Sequence, residues 1–237
     1  DSDAAFLGGV ANETAGYDVA IGDVDGDGHR DVLVAAPSAE NESDRSVGSV
    51  YLFYGPIEDA ELDVDDADVT FTGAPGDAAG WSVATGPLLD DNASDRYAGD
   101  RTNSGHRDTV GGSHDIAIGA PSSDAGGADS GAVYVVAGRE DLPSRVNLST
   151  DADAVFHGSD ASDRAGHSVA AVSTNRSDNR DRYDKRDGSD SREKNRDRDA
   201  RDGRHALLVG APDNDSAADD AGAAYLLTSE CALAEEE

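Results

Sequence analysis

Apolar residues fall in short runs along this chain, with no long periodic stretch. Tyr17 to Ile21 and Val32 to Ala36 are bounded by Gly, Asp and Pro, which favours strands over helices of roughly ten residues or more. The runs recur in a fixed order. Phe6-Leu7-Gly8 is followed by AGYDVA at 15 to 20, DVLVAAP at 31 to 37 and GSVYLFYG at 48 to 55. Phe71-Thr72-Gly73 leads to AGWSVA at 79 to 84, DIAIGAP at 115 to 121 and GAVYVVAG at 131 to 138. Phe156-His157-Gly158 leads to AGHSVA at 165 to 170, ALLVGAP at 206 to 212 and GAAYLLTS at 222 to 229. Such self-similarity predicts a repeat architecture. Each unit offers about four short β segments punctuated by Gly and Pro, the content of one propeller blade.

The predicted fold class is therefore all-β: propeller blades of four antiparallel strands, in units over 5–56, 69–141 and 154–229 of a single region 1–237. Three blades fall short of the about four to eight that close a ring, and an open stack exposes strand edges that invite pairing. Three arrangements satisfy this: the chain is a fragment of a larger propeller, copies associate to close it, or the terminal edges are shielded.

Between the second and third motifs of the first unit lies GDVDGDGHRD, residues 22 to 31. Asp23, Asp25 and Asp27 alternate, Gly28 follows and Asp31 closes the set. With the backbone carbonyl of His29, five oxygens could converge on one hard cation, and calcium is the first candidate. Carboxylates this close repel one another by roughly 4 kcal/mol per pair at about 4 Å and an effective dielectric of about 20. An EF-hand would need a bidentate Glu at the twelfth loop position, where this chain has Val34 inside an apolar run. The loop is therefore expected to join two strands. The competing reading is a solvated acidic turn in a very acidic protein.

F-x-G, the AG-x-[SD]-V-A motif, the acidic loop and the G-A-P tripeptide together resemble the FG-GAP repeats that build the amino-terminal β-propeller of integrin α subunits. The resemblance runs from about residue 5 to 229. It implies calcium held by Asp23, Asp25, Asp27, the His29 carbonyl and Asp31, with metal loops stapling strands on one face and ligands met on the opposite face. The other units depart from this pattern. The segments Ala84 to Pro121 and Ala170 to Pro212 are both longer than Ala20 to Pro37, with the extra residues where the first unit carries its loop. In the second unit Asp115 aligns with Asp31, and Asp90, Asp91, Asp95 and Asp100 are loose candidates. In the third unit Ala206 occupies that position, and no comparable site is expected.

Net charge changes the picture. With 50 acidic and 19 basic residues the chain carries -31, which argues against nucleic acid and anionic membrane surfaces. Lys185 and Lys194 are its only lysines. An acidic, lysine-poor surface resembles proteins of halophilic archaea, where molar salt shortens the Debye length to about 3 Å and mutes self-repulsion. The insertion at 175–204 holds 11 of the 19 basic residues among many acids. It is expected to be a disordered, solvated insertion, with a charged arm for an acidic partner as the alternative.

Cys231 stands alone, so no disulfide forms within the chain, and no apolar segment is long enough to span a membrane. Methionine is absent, and the chain is expected to be a processed or excised piece. Six of the nine asparagines begin N-x-S/T: Asn12, Asn41, Asn92, Asn147, Asn175 and Asn214. That excess points to a secreted or cell-surface glycoprotein.

GWSVA and GHSVA look like a nucleophile elbow with Ser82 or Ser168, but each ends in Ala, and the first unit has Asp18 at that place. These positions read as blade strands. The scattered histidines, including His29 and His106, form no zinc or nucleophile pattern. The chain is expected not to be an enzyme. The expected function is a calcium-binding extracellular module that meets a protein or glycan ligand in cell adhesion, with self-association as a further expectation. Two alternatives stand beside it: the non-catalytic scaffold of a secreted polysaccharide- or lipid-acting enzyme, and a structural surface component.

Overall fold

The computed structural model describes residues 4–40, 46–59, 61–89, 113–174, 204–218 and 221–228. Sequence expectations for Asn41, Asn92, Asn175, Asp90, Asp91, Asp95, Asp100, Cys231 and nearly all of the 175–204 insertion lie outside the described residues. The fold is all-β, as the short apolar runs predict. The first unit contributes β1 (Ala5–Leu7), β2 (Val19–Gly22), β3 (Asp31–Ala36) and β4 (Ser49–Phe53), and β5 (Glu61–Asp63) lies between it and the second unit. The second contributes β6 (Val69–Thr72), β7 (Ser82–Gly86), β8 (Asp115–Ala120) and β9 (Ala132–Val136), and β10 (Arg145–Asn147) lies between it and the third. The third contributes β11 (Ala154–His157), β12 (Ser168–Thr174), β13 (Arg204–Ala211) and β14 (Ala223–Thr228). Single helical turns at Val64–Asp66 and Leu148–Asp151 follow β5 and β10.

The strands form sheets in the orders β10-β6-β4-β3-β2, β11-β9-β8-β7 and β12-β13-β14, with β1 and β5 as a separate pair. Each antiparallel quartet crosses a unit boundary, which corrects the expectation of four strands within one unit. β6 carries the Phe of the second unit yet pairs with β4, placing Phe71 opposite Val50. β11 carries the Phe of the third unit and pairs with β9, placing Phe156 opposite Val133. Burial explains the offset: on β4, Phe71 joins the sealed cluster of Leu33, Val50 and Leu52. The outermost ladders also differ from the antiparallel expectation, because β10–β6 and β1–β5 are parallel.

Successive sheets stack face to face. Leu33, Leu52 and Phe71 of the first sheet meet Ile116, Ile118 and Tyr134 of the second. Side chains alternate along a strand, so Ala117, Val133 and Val135 project from the other face of the second sheet onto Leu207 and Val209 of the third. A sheet covered on both faces needs apolar residues at every position, which accounts for the unbroken runs IAIGA (116 to 120) and AVYVV, buried throughout. Close approach is set by glycine: Gly48 and Gly131 adopt left-handed φ of 71° and 76°. A Cβ on either would strike the backbone of Ala79 or Ala165, in the segments leading into β7 and β12.

Candidate metal centre

The strand β2 ends at Gly22 and β3 begins at Asp31, so the acidic segment is the connection between two paired strands, as expected. Glycines with left-handed φ at 26 and 28 turn the chain back on itself. Local hydrogen bonds fix the carboxylates: Asp25 accepts from the Asp27 N–H at 3.0 Å, Asp23 from Gly28 at 3.1 Å and Asp27 from His29 at 2.7 Å. One oxygen from each of Asp23, Asp25 and Asp27 lies within 4.8 Å of the others. The Asp23 carbonyl accepts from the His114 N–H at 2.6 Å, which ties the loop to the second sheet.

These three residues fit a hard cation in donor chemistry, since every candidate ligand is a carboxylate oxygen. They also fit in what they leave unpaired: the Asp23 Oδ1 is sealed from solvent and accepts no hydrogen bond among the described residues. Burying such an oxygen without a partner is costly. The negative field reaches Tyr54, whose phenol is pushed up to about 12 by burial first and then by the charges of Asp25, Asp31 and Asp68.

Asp31 is placed differently from the expectation that it joins the trio. It is fully buried, and its two carboxylate oxygens accept from Val24 N–H at 2.6 Å and Gly55 N–H at 2.9 Å. Burial raises its pKa above the usual carboxylate value, the Gly55 and Val24 hydrogen bonds oppose that, and the charge of Asp25 adds to the rise. Asp115 makes the same strap in the second unit, accepting from Leu88 at 2.6 Å, Leu89 at 2.7 Å and Gly138 at 3.2 Å. His29 enters the loop network through its N–H.

A second acidic position, two residues before each AG pair, escapes a reading centred on the acidic loop. Glu13 accepts from the Gly9 and Val10 N–H groups at 3.0 and 3.1 Å and from the Tyr51 hydroxyl. Asp77 accepts from Ala74 N–H at 3.0 Å and the Tyr134 hydroxyl at 2.8 Å. Asp163 accepts from Asp160 N–H at 2.9 Å and Ser159 Oγ at 3.0 Å. Burial works to raise Asp163, but its hydrogen bonds prevail and the pKa is lowered. The signal was present as [ED]-x-A-G in all three units together with Tyr51, Tyr134 and Tyr225 on the third motif.

The elbow-like serine is a structural tie: Ser82 Oγ donates to the Gly166 carbonyl of the next sheet at 2.9 Å. Asp18, its counterpart, accepts from Val83 N–H at 2.8 Å across the first such junction. Beside them, at the end of β2 opposite the acidic loop, Tyr17, Trp81 and His167 form a row, one ring per unit, with centroids 5.0 and 5.5 Å apart. Among the sequons, Asn12 and Asn147 are exposed. Asn214 is only 1% exposed, and its side chain accepts from Ser216 N–H at 3.1 Å, so in this fold it is closed to a glycan.

Stacked antiparallel sheets built from one repeated unit define an all-β, propeller-like protein. Residues 15–53, which span β2, the acidic loop, β3 and β4, match the FG-GAP repeat, a repeat that occurs in integrin-α-like β-propellers. No curated protein matches the chain. Among the described residues no helix is long and apolar enough to cross a membrane.

Proposed function

We propose that this chain is a calcium-stabilised, non-catalytic propeller module that meets a protein or glycan ligand at the cell surface. The observation that carries the reading is the convergence of Asp23, Asp25 and Asp27 within 4.8 Å around the unpartnered Asp23 Oδ1. Calcium there is structural: it offsets carboxylate repulsion and fixes the β2–β3 connection against the second sheet. The aromatic row lies at the other end of the first strands. Flat rings in an acidic surround suit sugar faces or cationic side chains, which supports that end as the ligand-facing one. A hydroxyl committed to a backbone carbonyl at Ser82 supports a scaffold over a hydrolase. The excess of sequons supports an extracellular setting, and the charge of -31 supports a salt-rich one.

The test is a thermal melt in molar salt with calcium and with a chelator, on the parent and on Asp25→Ala. Calcium is expected to raise the parent midpoint and to leave the variant unmoved. Equal response in both, or in neither, overturns the metal reading. Glycan-array binding that is lost in Trp81→Ala, with the calcium-dependent melt retained, tests the ligand face separately.

A further inference from the structure

The two junctions between sheets use equivalent residues, and part of the same set stands uncovered at the two flanks, although on the first flank Val34 and Phe53 are buried, with Phe6 of β1 against Phe53. Leu33 and Leu52 of the first sheet, and Ala117 and Val135 of the second, face forward and are sealed. Their counterparts on the third sheet are Leu208 and Leu226, which are 41% and 58% exposed. In the other direction, Val83 faces the preceding sheet and is 6% exposed, whereas its counterpart Val19 is 58% exposed. Ile21 beside it, at 61%, and Tyr17 extend this first flank.

The strand inventory shows the same incompleteness. The pair β1–β5 repeats the outer ladder β6–β10: both are parallel, with Phe6 opposite Leu62 as Phe71 is opposite Val146. In the first sheet that ladder adds to β4 through β6. Among the described residues, β1–β5 is thus the outer half of a sheet without its inner three strands. Among the described residues, β12-β13-β14 is an inner three without an outer half.

We infer that two copies of this chain dock head to tail, β1–β5 of each adding to β14 of the other, so that the pair closes a six-bladed ring. Each contact continues the interface already formed between first and second and between second and third sheets, with one more copy of its residues. β1 adds antiparallel to β14. The registers Val50 to Phe71 and Val133 to Phe156 carry over to Ala224 opposite Phe6. The new sheet, β5-β1-β14-β13-β12, reproduces the order of the first. Leu208 and Leu226 are covered by Val19 and Ile21, as Leu33 and Leu52 are covered by the second sheet. A heterologous contact makes a ring when its rotation closes and a filament when it does not. Two copies supply six blades, inside the range of about four to eight that close. An apolar contact between copies that each carry -31 requires salt to screen the repulsion.

The experiment is light scattering on the full chain after gel filtration in molar potassium chloride with calcium. The parent is expected at twice its 24.3 kDa chain mass, falling to one chain mass in dilute buffer. Leu226→Asp and Ile21→Asp, each checked for an unchanged circular dichroism spectrum, are expected at one chain mass. Their equimolar mixture, raised about tenfold in concentration, is expected to return to the doubled mass, because one pair of intact flanks remains. A parent that stays at one chain mass in molar salt, as it would if further blades or its own termini cover the flanks, overturns the inference. So does a parent that forms open polymers, or a mixture that does not re-associate.

Discussion

Asp31 and Asp115 open equivalent strands and spend their carboxylates in the same way, each holding N–H groups at the base of its connection. In front of Asp31, the described residues gather three more aspartates. The buried aspartate is therefore a device of the fold that recurs in two units, and the trio beside Asp31 is an addition whose repulsion calls for a cation. The third unit has Ala206 there, buried in β13, and does without the strap. The largest expected effect tests the shared part. Asp115→Ala leaves the Leu88, Leu89 and Gly138 N–H groups without that acceptor. Since hydrogen bonds to charged groups contribute about 1.5–3 kcal/mol each, and buried donors left unmade cost more than the bond gained, a loss of about 3 kcal/mol or more in denaturant unfolding is expected. It should be the same with calcium and with chelator. A loss below about 1 kcal/mol would show that Asp115 is not a strap.

The next effect isolates the addition. With free calcium at about a hundredfold its dissociation constant, the parent should gain about 2.7 kcal/mol over the chelated form. Asp25→Ala should abolish that gain, and Asp115→Ala should keep it on a lower baseline. If Asp115→Ala loses the calcium gain as well, the two positions are coupled through the sheet junction that His114 and Asp23 share, and the separation of strap from trio fails.

Much of this was legible in the sequence, and what was missed has one physical source. Repeat number, strand content and the turn between β2 and β3 depend on local pattern, and the motifs around Phe6, Phe71 and Phe156 display them. Which sheet a strand joins depends on where its side chains find a cavity. Phe71 is buried beside Leu52, a residue of the preceding unit, and nothing within Phe71-Thr72-Gly73 says so. The parallel additions β5 and β10 are three residues each and carry no periodic signal. Asp31 has the spacing of a ligand, but its burial at the foot of β3 turns its oxygens to backbone. Asn214 has the sequence of a glycan acceptor, but its loop packs inward.

The opposite end of the blades supplies a control away from the acidic trio. Burial pushes the Tyr134 phenol up to about 12; Ser123 opposes this, and its hydrogen bond to Asp77 supports it. Because the unfolded phenol ionises near the ordinary value of about 10, the native state holds the proton more tightly between those values. Stability should therefore be level below pH 10 and fall as pH rises from about 10 to 12. Tyr134→Phe should cost about 1.5 kcal/mol at neutral pH through the lost hydrogen bond and make the alkaline limb shallower. The calcium gain should be unchanged, since Asp77 and the acidic trio sit at opposite ends of their strands. A calcium gain that shrinks in Tyr134→Phe would mean that the two ends do not act independently.

The smallest effect is a change of sign. The Asp27 carboxylate is exposed, and its one described partner is the His29 N–H, which an Asn side-chain oxygen can still engage. In chelator, Asp27→Asn removes one of three crowded charges and keeps that hydrogen bond, so its midpoint should equal the parent's or rise by about a degree or two, the shift expected for a few tenths of a kcal/mol in a chain of this size. With calcium the order should reverse, because the amide oxygen is a weaker ligand for a hard cation than the carboxylate it replaces. Asp63, the last residue of β5 and the cap of the short turn after it, also accepts a nearby N–H but belongs to no group that could hold a metal among the described residues, so Asp63→Asn should shift both melts alike. Crossing curves for Asp27→Asn alone would identify repulsion within the trio as what calcium relieves; parallel curves for both variants would leave the loop a solvated turn.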